Sequence, residues 1–267
     1  MPETNELVLV GGGNMGAALL GGLIAGGRRP QGIVVVEIDP SKRADLETRF
    51  GVRTSGSVVG GAGAIIAVKP AGALDVCREL AGKGTPRILS IAAGISASAL
   101  QGAAGAGSRV VRAMPNTPAL VGEGATAVTG SELCDDADLQ WAEDVLSSVG
   151  TVVRVPESMM DAVTAVSGSG PGYLFLFAEA LLAAAIEEGL PADVADRLVR
   201  QLFKGAGALL ASSTESPAQL RENVTSPNGT TFAGLSVLED AGLRATVHKA
   251  VRAAADRSRE MGGQGTS

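Results

Sequence analysis

Leu7-Val8-Leu9-Val10-Gly11-Gly12-Gly13-Asn14-Met15-Gly16 is the stretch whose reading decides the fold. Four aliphatic residues in a row fit a strand buried on both faces. The glycines at 11, 13 and 16 give a tight turn, and the Ala/Leu-rich text that follows, up to Gly26-Gly27, reads as a helix. A second aliphatic run, Ile33-Val34-Val35-Val36, ends at Glu37-Ile38-Asp39-Pro40, and Ser41 is placed to cap a helix through Phe50. Together these make a βαβ unit. Further short runs at 64–68, 87–91, 109–112, 125–129 and 151–155 are continuous rather than alternating, as strands of a parallel sheet covered on both faces must be.

The glycine spacing carries chemistry as well as shape. Gly11-x-Gly13-x-x-Gly16 lets the chain turn, lets the backbone approach a pyrophosphate, and lets the helix pack close to the strand. The helix N-terminus, including Asn14 and Met15, then offers N–H donors and a positive dipole end. Such a pattern alone is weak. Here it follows a strand, opens a helix and has Glu37 at the end of the next strand, 21 positions after Gly16, as a dinucleotide site requires. Glu37 accepts from a ribose 2′-hydroxyl and repels a 2′-phosphate, which favours NADH, whereas Lys42 and Arg43 nearby can accommodate that phosphate. NADP and NAD both stay open as the cofactor.

After Pro156 no strand periodicity is left. Leu174, Phe177, Ala178, Leu181, Leu182, Ala185 and Ile186 recur at helical spacing between Pro171 and Gly189. Further helices are expected over 192–210, 217–222 and from Thr230 towards Met261 with a break near Gly242. The expectation is an α/β protein, with an N-terminal Rossmann domain of mostly parallel sheet at residues 1–158 followed by an all-helical C-terminal domain at 159–267.

Composition narrows the function classes. The 267 residues include 37 glycines and 45% apolar residues, which excludes a disordered chain; a disordered tail is expected only at 262–267. Twenty-two basic residues against 28 acidic ones leave a net charge of −6 with no basic cluster, so nucleic acid is not an expected partner. The longest apolar stretch, residues 173–186, is interrupted by Glu179 and is shorter than the ~20 residues of a spanning helix, so no membrane partner is expected either. The opening apolar run leads into the glycine turn rather than a cleavage site. Cys77, Cys134 and a single His248 exclude a disulfide scaffold and a His/Cys zinc site, and fit a reducing cytoplasm.

Four other segments are too unusual to be sheet or helix filler: Ala67-Val68-Lys69-Pro70; Arg112-Ala113-Met114-Pro115-Asn116-Thr117-Pro118; the run from Asp161 to Pro171 with Ser167-Gly168-Ser169-Gly170-Pro171 at its end; and Asn223-Val224-Thr225-Ser226-Pro227-Asn228-Gly229-Thr230-Thr231. With the glycine loop they resemble the pyrroline-5-carboxylate reductase family from about Leu7 to Met261. The resemblance implies NAD(P)H-dependent reduction of 1-pyrroline-5-carboxylate to L-proline, and a helical domain that interlocks with a second subunit as a homodimer or larger homo-oligomer. It also implies that Val68, Lys69, Pro70, Ala93, Gly94 and Asn223 line the cofactor and that Met114 to Thr117 border the nicotinamide. Ser226, Gly229, Thr230 and Thr231 would hold the substrate carboxylate, and Thr164 would stand at the ring nitrogen. The sequence departs from the family wording at Gly172, where alanine is usual, and at Asn228, where glycine is usual; Asn tolerates positive φ, so the turn is expected to survive.

The chemistry of those residues agrees with the resemblance. A small cyclic imine with one carboxylate needs an anion site, and a Pro/Gly turn leading into a helix presents successive N–H groups and two hydroxyls. An iminium is cationic, so a neutral hydroxyl suits its nitrogen better than Lys or Arg does. Simpler readings stand beside these, with Thr164 packing or capping a helix start and Thr231 capping one. Glu179, Glu187 and Glu188 read as a solvated face, and Trp141 and Phe203 as core or interface. A β-hydroxyacid dehydrogenase would carry a helix Lys shortly after a glycine-rich segment, but here no Lys follows Gly170-Pro171 until Lys204. A dinucleotide-binding scaffold without catalysis would need neither Thr164 nor the Ser226–Thr231 turn.

Overall fold

The computed structural model describes residues 5–264. Its elements follow in the order β1 (Leu7–Val10), α1 (Asn14–Ala25), β2 (Ile33–Val36), α2 (Pro40–Phe50), β3 (Arg53–Ser55), β4 (Ala64–Ile66), α3 (Pro70–Gly82), β5 (Arg87–Ser90), α4 (Ala97–Ala104), β6 (Arg109–Met114), β7 (Gly124–Gly130), α5 (Asp136–Leu146) and β8 (Gly150–Arg154). Only helices follow: α6 (Met160–Val163), a π-helical turn over Thr164–Gly168, α7 (Gly170–Glu187), α8 (Ala192–Ser212), α9 (Pro217–Asn223), α10 (Thr230–Asp240) and α11 (Leu243–Gln264). The strands form one eight-stranded sheet in the order β3-β2-β1-β4-β5-β6-β7-β8. Every pairing is parallel except β6 with β7. The first six strands have the doubly wound order of a dinucleotide-binding fold.

Side-chain alternation in β1 divides the core between the two faces of the sheet. Leu7 and Leu9 pack with Leu19, Leu20 and Leu23 of α1, Leu46 of α2 and Val145 of α5. Val8 and Val10 pack with Ala73, Cys77 and Leu80 of α3 and Leu100 of α4. This is why the strand reads as four aliphatic residues without a polar break.

By its contacts the chain divides into two compact units. One comprises the described residues up to Ser169 together with those from Ala254 onward, and the other is residues 170–253. The first contains the sheet. The second is helical and has almost no interior: on α8 only Ala195 and Val199 are buried, and α7 and α10 have no buried residue.

Several expectations need correcting. The cap of α2 is Asp39, whose side chain accepts from the Ser41 N–H at 2.8 Å, with Pro40 as the first helical residue. Strand β3 was not foreseen, because Arg53-Thr54-Ser55 is a polar edge strand without an apolar run. The apolar stretch at 173–186 belongs to a continuous helical run, Glu157–Glu187, of 31 residues, which by length and composition alone is enough to cross a membrane. Of the helical-period residues of α7, Leu174, Phe177 and Ile186 are exposed and Ala178, Leu181, Leu182 and Ala185 are only half-buried, while Phe175 and Leu176 beside them are exposed as well. Finally, α11 continues through Gln264, so a tail starting at 262 is helical as far as it is described, and 265–267 lie outside the described residues.

Candidate active site

The glycine loop explains itself in part through the protein's own packing. Gly11 has φ +107°, and a Cβ there would lie 2.5 Å from the Ala67 carbonyl oxygen; a Cβ on Gly16 would lie 2.1 Å from the carbonyl oxygen of Gly11. Both must be glycine for β1, α1 and β4 to meet. Gly13 differs, because a Cβ there would meet no protein atom within 4 Å. It is the N-cap of α1, with no side-chain cap, and Asn14 and Met15 open the helix behind it.

A cleft of about 730 Å³ lies at the carboxyl ends of β1, β2 and β4, where the strand order reverses direction. It brings together Gly11, Gly13, Glu37, Val68 and Lys69 from the expected set. It also includes Lys42, read from the sequence as able to accommodate a 2′-phosphate, and Ile38, Gly56, Ser57, Val58, Val76 and Glu79, which the sequence reading did not assign to a site. Gly56 to Val58 were missed along with β3, which delivers them. Lys69 is the N-cap of α3 and Pro70 its first residue, and Ala93 and Gly94 follow β5, with Gly94 at φ +75°.

Glu37 is buried, and both of its carboxylate oxygens are held. Oε2 accepts from the Gly12 N–H at 2.9 Å and Oε1 from the Asp39 N–H at 3.0 Å. Arg43 lies alongside, with Nη1 donating to the carbonyl oxygens of Glu37 and Ile38 at 2.8 and 3.1 Å.

Thr164 is the C-cap residue of α6 and begins the π-helical turn, and no side chain caps the start of that turn. The Thr164 hydroxyl donates to the Met160 carbonyl at 2.8 Å, while its own carbonyl accepts from the Ser169 N–H, also at 2.8 Å. The turn sits against the end of β6, where a Cβ on Gly168 would lie 2.7 Å from Met114 Cε. Asn116 donates to the Ser167 carbonyl at 3.1 Å and accepts from the Ala125 N–H at 2.9 Å. Upstream, Glu157 pairs with buried Arg112 of β6, and Asp161 accepts from the Ser258 hydroxyl at 2.6 Å.

In the helical unit, Asn228 has φ +59°, the left-handed value that glycine or asparagine adopts most readily. Gly229 donates to the Ser226 carbonyl at 3.0 Å and is the N-cap of α10. No side chain caps that helix, so Thr230 and Thr231 keep their hydroxyls for other partners, and the N–H groups of the first turn have no intrahelical acceptors. Asn223 ends α9, with its amide donating to Glu215 and accepting from Gln219, both at 3.0 Å.

The comparisons with known proteins agree with this layout. Residues 157–261 match the family model described as pyrroline-5-carboxylate reductase dimerisation, and residues 6–94 match the one described as NADP oxidoreductase, coenzyme F420-dependent. The chain is 40% identical to a pyrroline-5-carboxylate reductase of Corynebacterium melassecola, covering 96% of this chain and 98% of that one. A solved pyrroline-5-carboxylate reductase of Coxiella burnetii superposes with a TM-score of 0.91 at 36% identity, over 97% of this chain and 98% of the other. The Plasmodium falciparum pyrroline carboxylate reductase, solved with NADP bound, gives 0.84 at 31% identity, over 97% and 99%. Length, identity and fold agree from one end to the other, and the chain belongs to the pyrroline-5-carboxylate reductase family.

Proposed function

We propose that this chain reduces 1-pyrroline-5-carboxylate to L-proline with NADPH or NADH, the last step of proline biosynthesis. What carries the reading is relatedness along almost the whole chain to reductases of that name. The cleft supports it independently: Gly13 is the one loop glycine that protein packing does not demand, as expected where a pyrophosphate comes close to the backbone.

In this proposal the loop from Gly11 to Gly16, with Asn14 and Met15 at the helix start, holds the pyrophosphate. Glu37 takes the adenosine ribose, and Val68, Lys69, Pro70, Ala93, Gly94 and Asn223 line the remainder. When bound, the reduced nicotinamide supplies the hydride that the imine carbon accepts. The Ser226 hydroxyl, the backbone of Gly229, Thr230 and Thr231 and the Thr231 hydroxyl hold the carboxylate, and Asn228 supplies the positive φ that shapes the turn. Thr164 has its hydroxyl proton committed to Met160, so what it offers a ligand is an oxygen lone pair. It therefore accepts the N–H of the protonated, more electrophilic imine and aligns the ring. Once the carbon is reduced, the nitrogen is a neutral amine that takes its second proton from solvent.

The functional division is proposed as 1–158 for the dinucleotide and 159–267 for substrate and subunit contact. A second copy of the chain covers the exposed apolar side chains of the helical unit. A cytoplasmic location is supported by Cys77 and Cys134, which are both free thiols. The test is steady-state oxidation of NADPH and NADH by the purified protein. Turnover is expected with 1-pyrroline-5-carboxylate and near inertness with 3-hydroxyacids; equal turnover of a hydroxyacid overturns the reading.

A further inference from the structure

We infer that Asn116 is a positioning residue for this reaction: it clamps the π-helical turn that carries Thr164 and thereby sets where the threonine hydroxyl points. The inference rests on the function proposed above and extends it to a side chain that approaches Thr164 only through the backbone.

A π-helical turn has one more residue per hydrogen-bonded ring than an α-turn and loosens the regular ladder of donors and acceptors. The Ser169 N–H to Thr164 carbonyl bond closes that wider ring at 2.8 Å. For Ser167 the α-helical donor would be the N–H of residue 171, which is proline and has none. The Asn116 amide supplies a donor to that carbonyl at 3.1 Å.

The other end of the same amide is fixed too. Asn116 Oδ1 accepts from the Ala125 N–H at the start of β7, at 2.9 Å, so donor and acceptor ends each have one fitting partner and the amide has a single orientation. Asn116 is 9% exposed, which makes both bonds costly to lose. Asn116 is also the residue before a 3-10 turn, Thr117–Val121, where an asparagine ordinarily turns back to cap the local N–H groups. No such cap forms, because the amide spans β7 and the π-turn instead.

The anchors along this helix bracket Thr164. Glu157 is tied to Arg112 of β6, Asp161 to Ser258, and Ser167 to Asn116, which sits just beyond the end of β6. Upstream of Thr164 there are two ties. Downstream among these there is one, reinforced by Gly168 lying flat against Met114. Loosening it lets the π-turn relax and the hydroxyl swing, while the glycine-loop cleft, built from β1, β2 and β4, stays as it was. Aspartate keeps the acceptor for Ala125 but sets a carboxylate oxygen against the Ser167 carbonyl, which makes Asn116→Asp the informative variant.

The experiment compares wild type with Asn116→Asp by kinetics, by dinucleotide binding and by amide hydrogen exchange. Expected are a kcat lower by ~10–100-fold, as for small misplacements of a reacting group; an enlarged primary deuterium isotope effect; a loss of NADPH affinity smaller than the loss of kcat; and faster exchange confined to residues 164–169. If Asn116→Asp does not fold, Asn116→Ser, which is neutral but too short to reach both partners, is read in the same way. Wild-type kcat and isotope effect in a folded variant overturn the inference, even if its melting temperature falls. Wild type inert toward 1-pyrroline-5-carboxylate overturns the function and the catalytic half of the inference, and local exchange that is unchanged in the variant overturns the clamp itself.

Discussion

In the proposed site Glu37 brings a fixed negative charge to the adenosine ribose, where the two dinucleotides differ. Both carboxylate oxygens are anchored to backbone N–H groups, so the side chain does not swing aside for a 2′-phosphate without giving up two bonds. Repulsion in a solvated cleft is on the order of 1 kcal/mol, about five-fold in a ratio of kcat/KM, so NADH is expected to compete with NADPH. Glu37→Ser is expected to shift that ratio towards NADPH; an unchanged ratio places Glu37 away from the ribose. Thr231 and Thr164 separate in the same kind of measurement. With Thr231 holding the carboxylate as proposed, in ground state and transition state alike, Thr231→Val is expected to raise KM by ~10-fold with kcat nearly kept. Thr164→Val lowers kcat instead and enlarges the isotope effect, with dinucleotide affinity unaltered. The thiol of Cys77, pushed up to about 11 by burial, is expected to resist alkylation in the native protein near neutral pH, as read by mass spectrometry. The strand-end position of Glu37 and the positive φ of Asn228 were legible in the sequence because they follow from a local strand end and a local turn. Asn116 was legible only as part of a motif. Its partners, Ala125 and Ser167, are 9 and 51 residues away in the chain, and only the folded molecule brings the three together.

At the scale of elements, local rules worked where burial and period coincide and failed where they part. The glycine loop, α1 and the central strands read correctly because a strand buried on both faces needs an unbroken aliphatic run. The edge strand β3 has no such requirement, and its three residues, Arg53, Thr54 and Ser55, are polar, so the cleft residues it delivers were missed with it. The α2 cap moved from Ser41 to Asp39 for a similarly local reason: Pro40 is suited to the first helical position, which puts the cap one residue before it. Glycine at 16 is a requirement of element packing more than of ligand binding. Gly16→Ala sets a methyl 2.1 Å from the Gly11 carbonyl oxygen and forces α1 away from the loop. The expected cost is about 1–3 kcal/mol of stability together with weakened dinucleotide binding. Gly13→Ala, with no protein atom within 4 Å of the added methyl, is expected to lose less stability than Gly16→Ala, under about 1 kcal/mol for alanine at an N-cap, and to lose dinucleotide affinity. Thermal unfolding with and without NADPH separates the two variants; equal melting temperatures for both in the absence of dinucleotide contradict the argument.

The two units make opposite demands as whole bodies. The sheet unit buries large aliphatic residues on both faces, including Leu7, Leu9, Ile65, Ile66, Ile88 and Leu89 at 1% exposure or less. The helical unit leaves Phe175, Leu176 and Val237 at 66–68% exposure and Leu198, Leu202 and Leu209 above half. A helix apolar around its whole circumference has to be buried against something, and residues 170–253 by themselves do not provide it. Helical periodicity showed that α7 was a helix but not what it packs against, because a face covered by its own chain and one covered by a second copy have the same period. The expected outcome is that the protein sediments as a dimer or larger assembly and that its melting temperature rises with protein concentration, as for any fold stabilised by association. Phe175→Glu combined with Leu176→Glu places two charges in that surface. It is expected to shift sedimentation to smaller species, to lower the melting temperature and to abolish turnover, while leaving the far-ultraviolet signal of the sheet unit in place. The 31-residue run from Glu157 to Glu187 gives the measurement a second arm, since its length and composition would also suit a bilayer. A wild-type protein that stays monomeric in buffer but partitions onto phosphatidylcholine vesicles overturns the subunit interface, whereas a detergent-free oligomer that ignores vesicles supports it.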